Sequence, residues 1–462
     1  MEKISFKEKI GYSVGDTASN LYFQIVMSFI PIFYTDVFGI PAAALSVMFL
    51  VTRLWDAIND PLMGMIADRT NTRWGKYRPY LLFTGLPFTI VSVLTFITPE
   101  FQETGKIIYA YITYTLMMMF YTAVNVPYSA LMGVMTSNPD ERTSLSSFRF
   151  IGSFIGQFTV QSTILFLVKY FGNGDGSVGW PWAVGCLGGL AFMLFTITFL
   201  STKERVDPPK EQTNDFKKDL ANLFTNLPWL IIGIATIFQL IFIVIRSGST
   251  MYYVTYYMGE QDFSFFGSNS HFSVELLATV FFTSGSVAGV LGALFTNRFS
   301  KIIDKRLAYG GFLAASAIMS ALYYFIPSDS IALIYPLNFL LSFCFGIVSV
   351  LQWAIYTDTA DYGEWKFGRR ATGLVMAASL FALKLGLTLG GAIIGWVLAA
   401  YSYDKANITP ESKEAILLLI SVIPAIFGII GGAIMYFYPL NKIKLKEIER
   451  DLNSRRTGVV NV

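Results

Sequence analysis

Two carboxylates spaced one helical turn apart, inside an otherwise apolar stretch, are the first residues of this chain whose pattern suits chemistry. The stretch reads Arg53-Leu-Trp-Asp56-Ala-Ile-Asn59-Asp60-Pro. Asp56 and Asp60 stand at i, i+4, so a helix places them on one face, about 6 Å apart. Two bare carboxylates at that separation repel, and burial disfavours the charge on both. Either one holds a proton or a cation sits between them. Asn59 offers a carbonyl oxygen beside the pair. Oxygen donors on a partly dehydrated face suit a small hard cation such as Na+, or a proton exchanged on one carboxylate. The competing structural reading pairs each carboxylate with a different base.

Other polar residues recur at helical spacing inside apolar runs. One run carries Asp16, Asn20 and Gln24; another Tyr121, Asn125 and Ser129, with Pro127 freeing a backbone carbonyl nearby. A third carries Arg149, Ser153, Gln157 and Gln161, and a fourth Lys384 and Thr388. Amides, hydroxyls, charges and rings in such stripes suit a sugar, whose hydroxyls need donors and acceptors while its CH face stacks on aromatics. The bland alternative is interhelical glue, a common use of Ser, Thr and Asn. Four bases (Arg53, Arg149, Arg246, Lys384) and three acids (Asp16, Asp56, Asp60) lie within apolar runs. Each costs about 3 kcal/mol at a bilayer centre if unpaired, so they must face one another, a cavity or a bound ion. The extra base is one that a uronate carboxylate could meet.

The elements that position these residues are membrane-spanning helices. The chain has 462 residues, of which 54% are hydrophobic and only 14% charged. Its mean hydropathy is +0.53. A soluble domain carries roughly 25% charged residues. Twelve stretches are long and apolar enough to span: 10–35, 42–67, 80–98, 107–135, 146–168, 181–201, 228–258, 275–297, 307–326, 330–357, 371–401 and 415–438. Lys and Arg are distributed with 26 on one side of these spans and four on the other. By the positive-inside rule, both termini face the cytoplasm. The expectation is an all-α, multi-pass protein of the plasma (inner) membrane.

The longest polar stretch, 202–225, divides the chain into an N-terminal six-helix half (1–201) and a C-terminal half (226–440), with a cytoplasmic tail at 441–462. The halves echo weakly: Gly64-Met-Ile-Ala-Asp-Arg-Thr follows the second span and Gly292-Ala-Leu-Phe-Thr-Asn-Arg the eighth. Internal repeats of this kind typify one large transporter architecture. Two charged motifs lie at the expected cytoplasmic face: Asp68-Arg-Thr-Asn-Thr-Arg73-Trp-Gly-Lys76-Tyr-Arg78-Pro, and Tyr356-Thr-Asp358-Thr-Ala-Asp361-Tyr-Gly-Glu364-Trp-Lys366. Arg73, Lys76 and Arg78 on one half, and Asp358, Asp361 and Glu364 on the other, are candidates for ion pairs that close an inner gate. Static loop anchoring is the alternative.

The motifs Gly11-Tyr-Ser-Val-Gly-Asp16, Trp55-Asp-Ala-Ile-Asn-Asp60-Pro, Arg73-Trp-Gly-Lys-Tyr-Arg-Pro79, Asn125-Val-Pro-Tyr and Asp358-Thr-Ala-Asp-Tyr-Gly-Glu-Trp resemble those of the glycoside–pentoside–hexuronide:cation symporters. These are the melibiose-permease-like branch of the major facilitator fold, and the resemblance covers nearly the whole chain. It implies symport of a glycoside with Na+ or H+, sometimes Li+. It implies a cation site at Asp56, Asn59 and Asp60 with Thr122, sugar contacts at Asn20, Asn125 and Arg149, and a role for Lys384 near the same cavity. The melibiose branch has carboxylates where Asn20 and Asn125 stand, and a tryptophan where Ser129 stands. The chain therefore looks more like the xyloside and glucuronide branches.

Other classes fit poorly. No H-E-x-x-H or G-x-S-x-G occurs, and the sole histidine, His271, falls in an outer loop. Gly75-Lys76 and Gly105-Lys106 lack the rest of a nucleotide-binding loop. Cys186 and Cys344 lie in apolar runs and build no disulfide framework. No basic stretch interleaves with aromatics as a nucleic-acid surface would. The expected partners are a glycoside, a monovalent cation and the bilayer, with no cofactor, no nucleic acid and a monomer as the working unit. A facilitator or exchanger of another small solute stays open beside the symporter.

Overall fold

The computed structural model describes residues 4–136, 139–205, 223–265, 268–368 and 372–457. Each of the twelve expected spans falls on helix. The first half holds α1 (Phe6–Ser28), α2 (Ala42–Arg69), α3 (Gly85–Thr95), α4 (Glu103–Met135), α5 (Pro139–Gly172) and α6 (Gly176–Ser201). The second holds α7 (Leu227–Tyr252), α8 (Val274–Ile302), α9 (Lys305–Leu322), α10 (Ile331–Phe367), α11 (Thr372–Ala400) and α12 (Val422–Ile434). Among the described residues, nine helices are long and apolar enough to cross a membrane, or ten if α1 and the bent continuation to Phe38 make one span. Within α2 the apolar stretch Ala42–Thr52 precedes Asp56 and Asp60, the acids that drew attention in the sequence.

Among the described residues three spans are interrupted, and proline accounts for each. Pro87 lacks an N–H and its ring opposes the carbonyl of residue 83, which is where Arg78–Phe83 ends before α3. Pro424 stands in the same relation to Ile420, where Pro410–Ile420 gives way to α12. Pro31 sits at the start of the short helix Ile30–Ile32, beyond a 53° bend after α1. Large apolar side chains face outward, among them Ile155, Leu294 and Leu333. In water such a surface would drive aggregation; against lipid it is the expected solvent contact.

The chain forms two compact units. The first comprises Met1–Lys210, Thr250–Thr283 and Gly395–Ser412; the second comprises Glu211–Ser249, Ser284–Ile394 and Lys413–Val462. The segments at 250–283 and 395–412 thus join the first unit although they follow the expected boundary. Most of that boundary, 206–222, lies outside the described residues. In the first unit α1 lies against α5. A Cβ on Gly156 would stand 2.6 Å from the Thr17 carbonyl oxygen and 2.9 Å from Asn20 Cβ, so only glycine permits this approach. The contact is stitched by Thr17 Oγ1, which donates to the Gly152 carbonyl at 2.9 Å.

The core of the second unit gathers Ile232, Phe242, Tyr309, Leu313, Leu351, Ile355 and Tyr356. The expected tail contributes to it: α13 (Lys442–Thr457) buries Ile448 and Leu452 there. Trp365 Nε1 donates to Asp451 at 3.1 Å, and Lys444 Nζ lies 4.4 Å from the Trp365 ring centroid. The loop that holds His271 also differs from expectation. It forms an antiparallel pair, β1 (Gln261–Phe265) and β2 (Ser268–Phe272), with Asp262 opposite His271. Five-residue strands are too short to imprint a clear alternation on a polar loop.

Candidate functional site

The helices α2 and α4 pack together in the first unit and bring the acidic pair to a hydroxyl. Thr122 Oγ1 donates to Asp60 Oδ1 at 2.9 Å, across a sequence separation of 62 residues. Asp56 is buried, at 2% exposure. The Asn59 side-chain nitrogen is buried with no hydrogen-bond partner. Turning that amide over would present its oxygen toward the same surroundings. Four oxygen-bearing side chains on two helices, two of them carboxylates, are a donor set suited to a small cation or a proton.

A second cluster is built on α1, α4 and α5. Asp16 Oδ1 accepts from Arg149 Nη2 at 3.1 Å, and Asp16 Oδ2 accepts a short hydrogen bond from the Ser153 hydroxyl. Asn20 Nδ2 donates to Ser153 Oγ and to the Asp16 carbonyl, both at 2.9 Å. Asp16 and Asn20 lie one turn apart on α1, and Arg149 and Ser153 one turn apart on α5, so two helical stripes face each other. Two tyrosines frame the guanidinium. Tyr128 OH donates to the Tyr12 carbonyl at 2.7 Å and Tyr12 OH to the Tyr128 carbonyl at 3.3 Å. Their rings stack at 4.8 Å, and Arg149 Cζ lies 5.0 Å from the Tyr128 centroid. This reciprocal lock holds α4 to α1 and gives the arginine an aromatic wall.

The remaining candidates are placed as follows. Asn125 is half-buried on α4, and its Nδ2 donates to the Tyr121 carbonyl one turn back at 3.1 Å. Lys384 belongs to the second unit, on α11, where its carbonyl accepts from Thr388 at 2.8 Å. Arg73 stacks on Trp74 at 4.2 Å. Glu204 clamps the loop of the first motif, accepting from the backbone N–H groups of Lys76 at 2.8 Å and Arg78 at 3.0 Å. The Arg78 side chain donates to the Phe199 carbonyl, at 3.1 Å from Nε. Asp358 pairs with Lys305 within the second unit at 2.8 Å. Asp361 and Glu364 are half-buried on α10.

Sequence reasoning passed over one cluster. Among the described residues two six-residue π-helical turns occur, Phe33–Phe38 beyond α1 and Tyr253–Met258 beyond α7, at matching places in the two halves. Asp36 on the first accepts a short hydrogen bond from Tyr256 on the second, and one from Tyr403 OH at 2.8 Å. Thr35 Oγ1 donates to Asp36 at 2.6 Å and lies 2.8 Å from Tyr252 OH. Lys405 Nζ donates to the Asp36 carbonyl at 2.5 Å. Such wide turns concentrate at functional positions. The signal available in the sequence was the tyrosine run Tyr252-Tyr-Val-Thr-Tyr-Tyr and an acid at the end of the first span. Tyr12, Tyr128 and Glu204 were also missed, because an aromatic in a span or an acid in a loop reads as ordinary packing.

A family model described as MFS/sugar transport protein matches residues 11–442. The inner membrane symporter YicJ of Escherichia coli (strain K12) is 38% identical over 98% of this chain and 95% of its own length. The isoprimeverose transporter of Lactiplantibacillus pentosus is 32% identical, over 96% of this chain and 90% of its own. The glucuronide carrier protein homolog of Escherichia coli (strain K12) is 30% identical, over 98% and 97%. In three dimensions the chain is similar to a bacterial homolog of the human lysosomal transporter Spinster, solved inward-facing and unoccupied. That match has a TM-score of 0.68 and 13% identity, over 96% of this chain and 97% of that one.

Proposed function

The chain belongs to the MFS/sugar transport family of multi-pass membrane transporters, and from that premise we propose that it carries a glycoside into the cell together with Na+ or H+, by alternating access. One observation carries the reading: apolar helices of one unit hold two separate ionisable clusters with different chemistry. The α2–α4 cluster offers carboxylate, amide and hydroxyl oxygens and suits the coupling ion; Asp56, Asn59, Asp60 and Thr122 are its proposed ligands. The α1–α5 cluster offers a guanidinium, a carboxylate, an amide and a hydroxyl beside aromatic rings, which suits sugar hydroxyls and a CH face; Asp16, Asn20 and Arg149 are its proposed contacts. Asn125 and Lys384 are proposed to complete sugar recognition.

In this reading both termini face the cytoplasm of a cell whose inner membrane holds the protein, and the monomer is the working unit. The charge bias of 26 to four supports that orientation. The Asp36 cluster is then a lock at the outer end of the path, tying α1 to the ends of α7 and α11. The set Arg73, Lys76, Arg78, Asp358, Asp361 and Glu364 is proposed as the inner gate. Its members exchange the partners they hold here, such as Lys305 for Asp358, at another step of the cycle.

The test is uptake of labelled glycosides into vesicles containing the protein, with and without an imposed Na+ or H+ gradient. Accumulation driven by one of the two ions is expected. Equilibration that neither gradient changes would favour a facilitator and end the symport reading.

A further inference from the structure

We propose that Glu204 is the positioning residue of the inner gate: it latches the basic loop 73–78, by its main chain, to the root of the segment that links the two units. The inference rests on the gate reading of Arg73, Lys76 and Arg78 and concerns what holds that side of the gate in place. The loop is shaped for the latch. Gly75 has φ +108°, a conformation that favours glycine. Its N–H donates to the Thr72 carbonyl at 3.1 Å, and Thr72 Oγ1 donates to the Gly75 carbonyl at 2.8 Å. The turn aims three successive N–H groups at one carboxylate: Glu204 Oε2 accepts from Lys76 at 2.8 Å, and Oε1 from Tyr77 at 2.8 Å and Arg78 at 3.0 Å. A Cβ on Gly75 would stand 2.5 Å from the Glu204 carboxyl carbon, so only glycine admits the acid here.

Glu204 is itself held. It stands just beyond the end of α6, where residues 203–205 are pinned to the first unit. Glu8 on α1 is buried and accepts from Arg205 Nη1 at 2.7 Å, from Arg205 Nη2 at 2.8 Å and from the Lys203 N–H at 3.1 Å. The Arg205 N–H donates to the Val134 carbonyl on α4 at 2.8 Å. The Arg78 guanidinium closes the circuit: it donates to the Phe199 carbonyl on α6 and lies 4.9 Å from the Phe199 ring centroid. Hydrogen bonds to a carboxylate are roughly twice as strong as neutral ones, so the loop is fastened through its backbone. Exposed ion pairs, by contrast, are individually weak and lose much of their energy to ordering both partners. Arg73 and Lys76 can therefore close a gate only from a loop already in place. The latch fixes their main chain and leaves their side chains out of its own bonds, so part of the ordering is done before the gate forms. Residues 203–205 lead directly into the linker, and the loop and the linker root move as one piece.

The experiment uses Glu204→Gln, which sets an amide NH2 against the backbone donors, and Gly75→Ala, which attacks the same contact from the loop, alone and together. A nitroxide on Asn71→Cys, an exposed loop position, in a background lacking Cys186 and Cys344, reports loop mobility by EPR. Vesicle uptake and ligand binding by the purified full chain report function. Either variant is expected to mobilise the label and to lower the initial rate of gradient-driven glycoside uptake about tenfold, with glycoside and cation affinities within about twofold of wild type. The double variant should be no slower than the slower single one, because both changes remove one contact. A label as restrained as in wild type in both variants overturns the latch while leaving the gate reading intact. Affinities that fall along with the rate make Glu204 a residue of general stability and overturn the assignment, as do effects that multiply in the double variant. A mobilised label with wild-type uptake in both variants overturns the gate reading and this inference with it.

Discussion

Replacing Gly156 by alanine tests whether the close approach of α1 and α5 is what assembles the proposed sugar cluster. The added Cβ would stand 2.6 Å from the Thr17 carbonyl oxygen and 2.9 Å from Asn20 Cβ. Comfortable carbon contacts begin near 3.5 Å, so the helices must part by about 0.6–1 Å at this turn. Overpacking of that kind costs about 2 kcal/mol. The separation also stretches the Thr17–Gly152 and Asn20–Ser153 hydrogen bonds, both 2.9 Å, beyond useful length. Their loss costs about 1 kcal/mol each. Alanine returns about 1 kcal/mol through helix propensity, leaving a net loss of about 3 kcal/mol. The Asp16–Arg149 contact, one turn further along, loosens with them, so glycoside affinity should fall about tenfold or more. Cation affinity should change little, because α2 and α4 are untouched. The assay is apparent Tm in detergent beside binding of both ligands. Gly189→Ala is the control: nothing stands within 4 Å of its Cβ, and such a change stabilises by about 0.4–1 kcal/mol. A Gly156→Ala protein with the Tm and glycoside affinity of the wild type would refute the reasoning.

Two further outcomes follow from the other clusters. Asp60→Asn removes the full charge that accepts the Thr122 hydroxyl, and should abolish gradient-driven accumulation while downhill glycoside exchange continues; accumulation persisting in the Asp56→Asn, Asp60→Asn double variant would remove the ion from this site. His271 lies in the β1–β2 pair, outside the spans, and its hydrogen bond to Asp262 at 2.8 Å raises its pKa above the ordinary 6.5. The protonated form is therefore favoured in the folded hairpin. The stabilisation is fully present below about pH 6.5 and is lost as pH rises through the higher folded value. An NMR titration of this sole histidine should show a midpoint above 6.5 that drops in Asp262→Asn; a wild-type midpoint at or below 6.5 would count against the pairing.

Composition and periodicity sufficed for the helices and for the unusual residues within them. A run of twenty apolar residues has few folded alternatives in lipid, since every backbone group must be satisfied within the segment. The same economy makes Asp16, Asp56, Asp60 and Arg149 conspicuous, because a charge in such a run is costly and needs a reason. The i, i+4 spacing of Asp56 and Asp60 is likewise a property of one helix and can be read along the chain. Which helix supplies the partner is another matter. Asp60 meets Thr122, Asp16 meets Arg149 and Ser153, and Asp36 meets Tyr256 and Tyr403, over separations from 62 to 367 residues. Those meetings depend on which helix faces pack. At α1 and α5 the packing is decided by the absence of a side chain at Gly156, a feature with no hydropathy signal of its own. The charge the α1–α5 cluster presents was likewise open in the sequence, where Arg149 counted among the bases in excess. Only the approach of α1 to α5 sets that arginine against Asp16, and an ion pair is a property of distance, not of composition.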